Sequence, residues 1–334
     1  MRPVIAAVVM AVSLSISGCV SIAEHAQPER LRIVDFHTHL NGDMEAKHLL
    51  ALMDRAGVRT MVLMARYYAN PKDAGYGSDM QAADFARTHK RRFVPFVAGQ
   101  RGELGRLARW EDPESASWYL RESEDKLRSG EFFGLGEYIL YHHAYDLVGW
   151  GQRGGEVRLP ADSPLMRRLA ALGAKYAVPV LFHQEAEPEQ TQQAVRLFEP
   201  HQETPFIWAH DCGRASAGQI RRLLGRFPRL MCDLGGMMVT SERGGYGRYW
   251  PKHTPYVHLV QADGGKVYAE MLRLFEDFSG RFLLGTDTAH TPALRFYEER
   301  IHAFRQMLSQ MSPATARAIA YENAERLFAL RRVP

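Results

Sequence analysis

Cysteine is scarce: three occur in 334 residues, at positions 19, 212 and 232. Cys212 and Cys232 therefore allow one internal bridge at most, and a disulfide framework is excluded. No long run of lysine or arginine concentrates the formal net charge of +4, so charge alone gives no footprint for a nucleic-acid partner. No internal repeat and no low-complexity segment is present. The longest mainly apolar run, Val4 to Ile16, is too short to span a bilayer. What remains is an ordinary globular composition, 46% hydrophobic and 24% charged. The length suits one large α/β domain or two small ones.

The chain opens with a targeting pattern. Met1-Arg2 is a positive start, Val4 to Ile16 an apolar core, and Ile16-Ser17-Gly18-Cys19 closes it. That closing tetrapeptide resembles the lipobox of bacterial lipoproteins. The resemblance implies removal of residues 1–18, a lipid on Cys19 and attachment to the membrane. With Val20 and no aspartate after the cysteine, it implies the periplasmic face of the outer membrane. Residues 19–30 then form a tether, and residues 31–334 the folded domain.

From Leu31 onward short apolar runs alternate with longer amphipathic ones. Strands are expected over Arg32–Phe36, Val58–Ala65, Arg92–Ala98, Phe132–Tyr138, Pro179–His183, Pro205–His210, Arg229–Leu234 and Arg281–Asp287. Most are apolar without polar alternation, as strands covered on both faces are. Helices are expected over Glu45–Arg55, Asp79–His89, Ala116–Arg128, Leu165–Tyr176, Glu189–Phe198, Ala217–Arg226, Val267–Phe278 and Leu294–Leu308. Each carries apolar residues at three- and four-residue spacing. Gly57 and Gly130 stand where helix stops belong. Eight such pairs give an α/β fold of the (β/α)8 TIM-barrel class, with Pro313–Leu330 as an extra C-terminal helix.

In such barrels the strand ends carry the chemistry. His37 and His39 are alternate residues, so on extended backbone they share a face and can grip one ion. Glu137 ends strand four, His183 strand five, His210 strand six and Asp287 strand eight. Four histidines and two carboxylates at matching ends point to a divalent metal, zinc by its donor types, with one or two ions per chain. Cys212 and Cys232 lie within a residue or two of strand ends, where free thiols are expected.

Asp35-Phe36-His37-Thr38-His39, His183, His210 and Asp287 together resemble the metal motifs of the amidohydrolase superfamily. Arg226–Leu234, Phe282–Asp287 and Asn323-Ala324-Glu325-Arg326-Leu327-Phe328 resemble amidohydrolase-related family 2. The likeness runs from about Leu31 to the C-terminus. It implies a metal-dependent hydrolase in which Asp287 shuttles the proton. His210 either holds a second metal or bonds the substrate oxygen, and Asp35 orients the site from below. Asp233 acts behind the ligands or as a structural acid.

Glu137 departs from the simplest family pattern, because single-metal decarboxylases of family 2 usually lack this acid. Two-metal members bridge their ions on strand four with a carboxylated lysine or a glutamate, and Phe132–Tyr138 holds no lysine. Gly134-Leu135-Gly136-Glu137 is similar to the glutamate strand of TatD-like nucleases, although Tyr138-Ile139-Leu140 follows where those have Gly-Leu-Asp. The reading is therefore hydrolysis of an ester, lactone or amide in a small molecule. Alternatives are a decarboxylase or other lyase, a phosphoesterase or TatD-like nuclease, and a non-catalytic metal-binding lipoprotein. Arg66, Arg101, Tyr141, Arg243 and Arg248 lie in or near loops after strands and are candidates for an anionic substrate. Gln100 precedes Arg101, His142 and His143 fall past the expected end of strand four, and Ser241–His258 forms a long insert suited to a lid.

Overall fold

Eight apolar runs pair side by side in chain order. They are β1 (Ile33–Asp35), β2 (Val58–Ala65), β3 (Phe93–Phe96), β4 (Leu135–His142), β5 (Val180–Gln184), β6 (Phe206–Trp208), β7 (Met231–Asp233) and β8 (Phe282–Leu283). The structure, a computed structural model, describes residues 31–67, 77–147, 152–237, 259–260 and 265–331. The signal segment 1–18, the tether 19–30 and the insert Ser241–His258, with Arg243 and Arg248, lie outside the described residues. No helix among the described residues is long and apolar enough to cross a membrane.

The pairing is parallel throughout the ring. Asp35 faces Met61 and Met61 faces Phe93. A bridge between Val97 and Leu135 joins β3 to β4. Tyr138 faces Phe182, Trp208 faces both Phe182 and Cys232, and Asp233 faces Leu283. The last seam closes β8 on β1: the Phe36 amide donates to the Leu284 carbonyl at 2.8 Å, and Thr38 bridges Thr288. The sheet thus returns to its first strand as a barrel.

Period two explains why the strands read as unbroken apolar runs. Ile33, Met61, Leu63, Phe93, Val180, Phe182, Phe206 and Trp208 pack outward against the helices. Their neighbours Val34, Val62, Met64, Val94, Leu181 and Ile207 fill the barrel interior with Phe36, Phe96, Met231 and Leu283. Both faces are buried, so neither alternates with polar residues.

The expected helices are present with ends shifted by a few residues, as Ala46–Ala56, Asp79–Thr88, Ser117–Ser129, Pro164–Tyr176, Pro188–Phe198, Ala217–Arg226, Ala269–Asp277 and Tyr297–Leu308. Gly57 and Gly130 end the first and third in the left-handed conformation. The C-terminal helix runs as Pro313–Arg317, a π turn at Ala318–Glu322, and Asn323–Ala329. Its Ala324 and Leu327 plug the barrel at the N-terminal ends of the strands.

β8 ends at Leu283, four residues short of the expected Asp287, and two further strands differ from expectation. β4 continues to His142, because Val157–Arg158 pairs antiparallel with Tyr141 and His142 and prolongs it. His142 therefore lies on the strand and is buried, its ring 5.7 Å from that of His183. β6 stops at Trp208, and the chain then makes a left-handed turn from His210 to Arg214, with φ between 52° and 74°.

Candidate metal centre

All six strand-end groups meet above the inner core. His37 Nε2 lies 3.2 Å from His39 Nε2, and Asp287 Oδ1 lies 3.6 and 3.4 Å from these two atoms. His183 Nδ1 lies 3.0 Å from His210 Nε2. Glu137 stands between the pairs. Its Oε2 is 3.5 Å from His37 Nε2 and 3.3 Å from His39 Nε2, while its Oε1 is 3.5 Å from His183 Nδ1 and 3.6 Å from His210 Nε2.

Local structure explains each placement. β5 alternates, so His183 shares the inward face of Leu181. β4 would send Glu137 outward with Leu135, but the register slips between Leu135 and Tyr138 and turns the acid inward. Gly136 makes this possible: its φ is 123°, and a Cβ there would strike the Leu181 carbonyl. Asp287 has a φ of 48°, fixed by its amide donating to the His37 carbonyl at 2.8 Å.

The left-handed turn aims His210. Gly213 packs so closely on Gln184 that a Cβ would collide with that residue's carbonyl. The Gly213 carbonyl accepts from the Ala186 amide at 2.9 Å. Arg214, fully buried, pairs with Glu185. Cys212 and Cys232 form a disulfide, with Cα atoms 4.9 Å apart. The expectation of free thiols is thereby corrected. β6 and β7 are adjacent, about 4.8 Å apart as paired strands are, and the turn swings Cys212 back over Cys232.

The outer nitrogens of three histidines are fixed by acceptors. His37 Nδ1 donates to Asp233 Oδ2 at 2.6 Å, His210 Nδ1 to the Gly235 carbonyl at 2.7 Å, and His183 Nε2 to Glu185 Oε1 at 3.0 Å. Each bond leaves the inner nitrogen a lone pair aimed into the site. Such lone pairs 3.0 Å apart, beside two carboxylates, repel unless a cation lies among them. Glu137 Oε1 is buried with no hydrogen-bond donor among the described residues. The edges of 3.2–3.6 Å between His37, His39, Asp287 and Glu137 match donors about 2.0–2.2 Å from one tetrahedral ion. The residues present therefore fit one or two divalent metals, in the sets His37, His39 and Asp287 and Glu137, His183 and His210.

Both carboxylates of the site stay ionised. Burial raises the carboxyl of Glu137, but His37, His183 and His210 hold it well below the usual carboxylate range. Asp287 is likewise pushed up by burial and pulled further down by His37, His39 and His210. Glu185, buried but paired with Arg214 and His183, falls to about 2. Burial and the neighbouring His183 push His142 down to about 4, which leaves that imidazole neutral at pH 7.

Asp35 anchors the floor. Its carboxylate accepts from the Thr286 amide at 2.9 Å, the Thr286 hydroxyl at 2.8 Å and the Thr38 hydroxyl at 2.9 Å. This ties the segment bearing His37 to the segment bearing Asp287. Gln100 Nε2 donates to Glu137 Oε2 at 2.8 Å. Sequence reading singled out neither this role nor the Glu185–Arg214 pair. Glu185 lies two residues beyond His183, on the same side of the strand, and that spacing was the available signal.

The substrate candidates separate. Arg101 is buried and pairs with Asp79 and Glu122, under Lys126, rather than facing the mouth. Tyr141 is buried, with Arg158 over its ring at 5.4 Å. Arg66 donates to the Ala289 carbonyl at 2.6 Å and contacts His290, just beyond Asp287.

Known structures share this architecture. An uncharacterized TIM-barrel protein, Bb4693, from Bordetella bronchiseptica is 16% identical with a TM-score of 0.57, covering 90% of this chain and 99% of its own. A 2,6-dihydroxybenzoate decarboxylase is 16% identical with a TM-score of 0.52, covering 90% and 98%. A 4-oxalomesaconate hydratase from Rhodopseudomonas palustris is 12% identical with a TM-score of 0.52, covering 89% and 96%. At these identities the likeness is one of fold. Among curated proteins none matches the chain. The Amidohydro_2 family (Amidohydrolase) matches residues 34–330, and the chain belongs to this family of metal-dependent enzymes.

Proposed function

We propose that the protein is a two-metal hydrolase that cleaves an ester, lactone or amide bond in a small molecule. The observation that carries this is Glu137, whose two oxygens each face a different histidine pair. A carboxylate so placed would serve two cations if both were bound. His37, His39 and Asp287 would hold one and His183 and His210 the other, with Glu137 shared. Bound divalent ions there supply Lewis acidity, activating water near neutral pH and polarising the scissile carbonyl.

The chain's own groups do the rest. Asp287 retains 11% side-chain exposure, against 3% for Glu137 and none for Asp233. It is the carboxylate of the three that opens toward the mouth, and it takes a proton from water and returns it to the leaving group. Asp233 and Glu185 hold His37 and His183 in the tautomers that face inward. His142, neutral beside His183, narrows the site without adding charge. Zinc suits the nitrogen-rich donor set, and the chain works at the periplasmic face of the outer membrane through a lipid on Cys19.

Metal analysis of purified protein, followed by a screen of lactones, esters, amides and phosphoesters, tests the reading. About two ions per chain are expected, falling to about one in Glu137→Gln, since an amide supplies no anionic oxygen to share. A wild type that saturates at one ion, with carboxylic-acid substrates losing carbon dioxide, would replace hydrolysis with decarboxylation.

A further inference from the structure

The face opposite the metal centre is basic, and it is where the chain enters the barrel. We propose that this face, at the N-terminal ends of β1 to β3, docks on an anionic lipid bilayer. The metal centre then opens away from the membrane. The proposal deepens the reading of the protein as lipid-anchored, and it can be tested without the lipid.

Two adjoining clefts occupy this face. One, of about 550 Å³, is lined by Arg32, Arg59, Arg87, Lys90 and Arg91 among others, with Phe133 and Phe328 among its apolar residues. The second, of about 420 Å³, shares Arg32, Arg59, Lys90 and Arg91 and adds Arg92. Three acids line the two clefts, and each already faces a cation: Asp54 meets Arg92 at 2.6 Å, Glu131 meets Arg87 at 2.5 Å, and Glu325 lies 3.7 Å from Arg32. Among the described residues, Arg59, Lys90 and Arg91 have no such acid, and all three are exposed. Arg91 sits in a left-handed turn, with φ of 67°, two residues before β3.

Position selects the partner. Arg32 directly precedes β1, so the described part of the chain begins at this face and not at the metal centre. Eleven residues lie between Cys19 and Leu31, and an extended chain of that length reaches at most about 40 Å. A lipid on Cys19 would therefore keep this face, rather than the mouth, near the bilayer. Unpaired cations over a partly apolar floor complement anionic headgroups above acyl chains.

The test uses the chain from Val20, without lipid, since both core clusters and the residues packed on them lie between Leu31 and Phe328. Its binding to vesicles of phosphatidylcholine alone is compared with vesicles that also contain phosphatidylglycerol. Binding should be at least about tenfold stronger with the anionic lipid and should fall as salt rises. The combined variant Arg59→Glu, Lys90→Glu and Arg91→Glu should lose that preference while keeping its metal content and melting temperature. Equal binding to both vesicles, no binding to either, or a folded triple variant that still prefers phosphatidylglycerol would overturn the proposal. Acylation of Cys19 in cells, followed by labelled fatty acid, is a separate readout, so failure of the anchor and failure of the surface remain distinguishable.

Discussion

Asp287, part-buried, and Glu185, fully buried, are both carboxylates beside histidines, yet substitution should separate them. Asp287→Asn keeps the side chain's size and one oxygen toward His37 and His39 but cannot accept a proton. Metal content should stay close to wild type while turnover drops by a factor on the order of 10² or more, read by steady-state kinetics on the substrate found by screening. An Asn variant with near wild-type turnover would move the proton to another group, His210 first. Glu185 touches His183 from behind and pairs with Arg214. Glu185→Gln should weaken metal affinity by roughly 10- to 100-fold, measured by competition with a chelating dye, and leave turnover at saturating metal far less affected. The metal candidates were legible because a histidine or acid that closes an apolar run is conspicuous in sequence. Arg214 was not, since its partner lies 29 residues away on another strand end and only the turn after β6 brings the two together.

At the scale of elements, the turn from His210 to Arg214 is the least regular part of the site. Consecutive left-handed residues are costly for side chains other than glycine, and they persist where surrounding contacts over-determine them. Here those contacts are the disulfide, the Arg214–Glu185 pair and the close seat of Gly213 on Gln184. The bridge closes a segment with a sequence separation of 20, for which chain entropy suggests about 3 kcal/mol of stability. The Cys212→Ser, Cys232→Ser double variant should lose about that much in denaturant titrations. It should also bind the metal held by His183 and His210 more weakly, because His210 lies two residues from Cys212. Unchanged stability and unchanged metal stoichiometry would show that the turn holds without the bridge. Sequence pattern extended strand six to His210 because an apolar run flows into the histidine. Nothing in Asp211-Cys212-Gly213-Arg214, with one glycine, signals five left-handed residues. The extension of β4 to His142 was hidden for a related reason: its partner, Val157–Arg158, is too short to read as a strand.

For the whole molecule, the barrel was legible because all eight strands are covered on both faces and so stand out as unbroken apolar runs between amphipathic helices. Closure was not legible as such, since it rests on two thin seams, β3 to β4 and β8 to β1, held by a few backbone bonds and single bridges. The site crosses the second of these, with His37 and His39 on one side and Asp287 on the other, and Glu137 lies beside the first. Metal bound to groups from β1, β4, β5, β6 and β8 would therefore fasten the ring where the sheet is weakest. A ligand present at about a thousand times its dissociation constant adds roughly 4 kcal/mol to the folded state. In a chain of this size that corresponds to a melting shift on the order of 5 °C. Protein stripped with a chelator should melt lower by about this amount, and added zinc should restore it. In His37→Ala, which removes one ligand beside the β8 seam, the chelator should shift melting much less. Equal shifts in wild type and variant would mean that the stabilising ion binds elsewhere. No shift in either would mean that Asp35, through its bonds to Thr38 and Thr286, closes the seam without help from a metal.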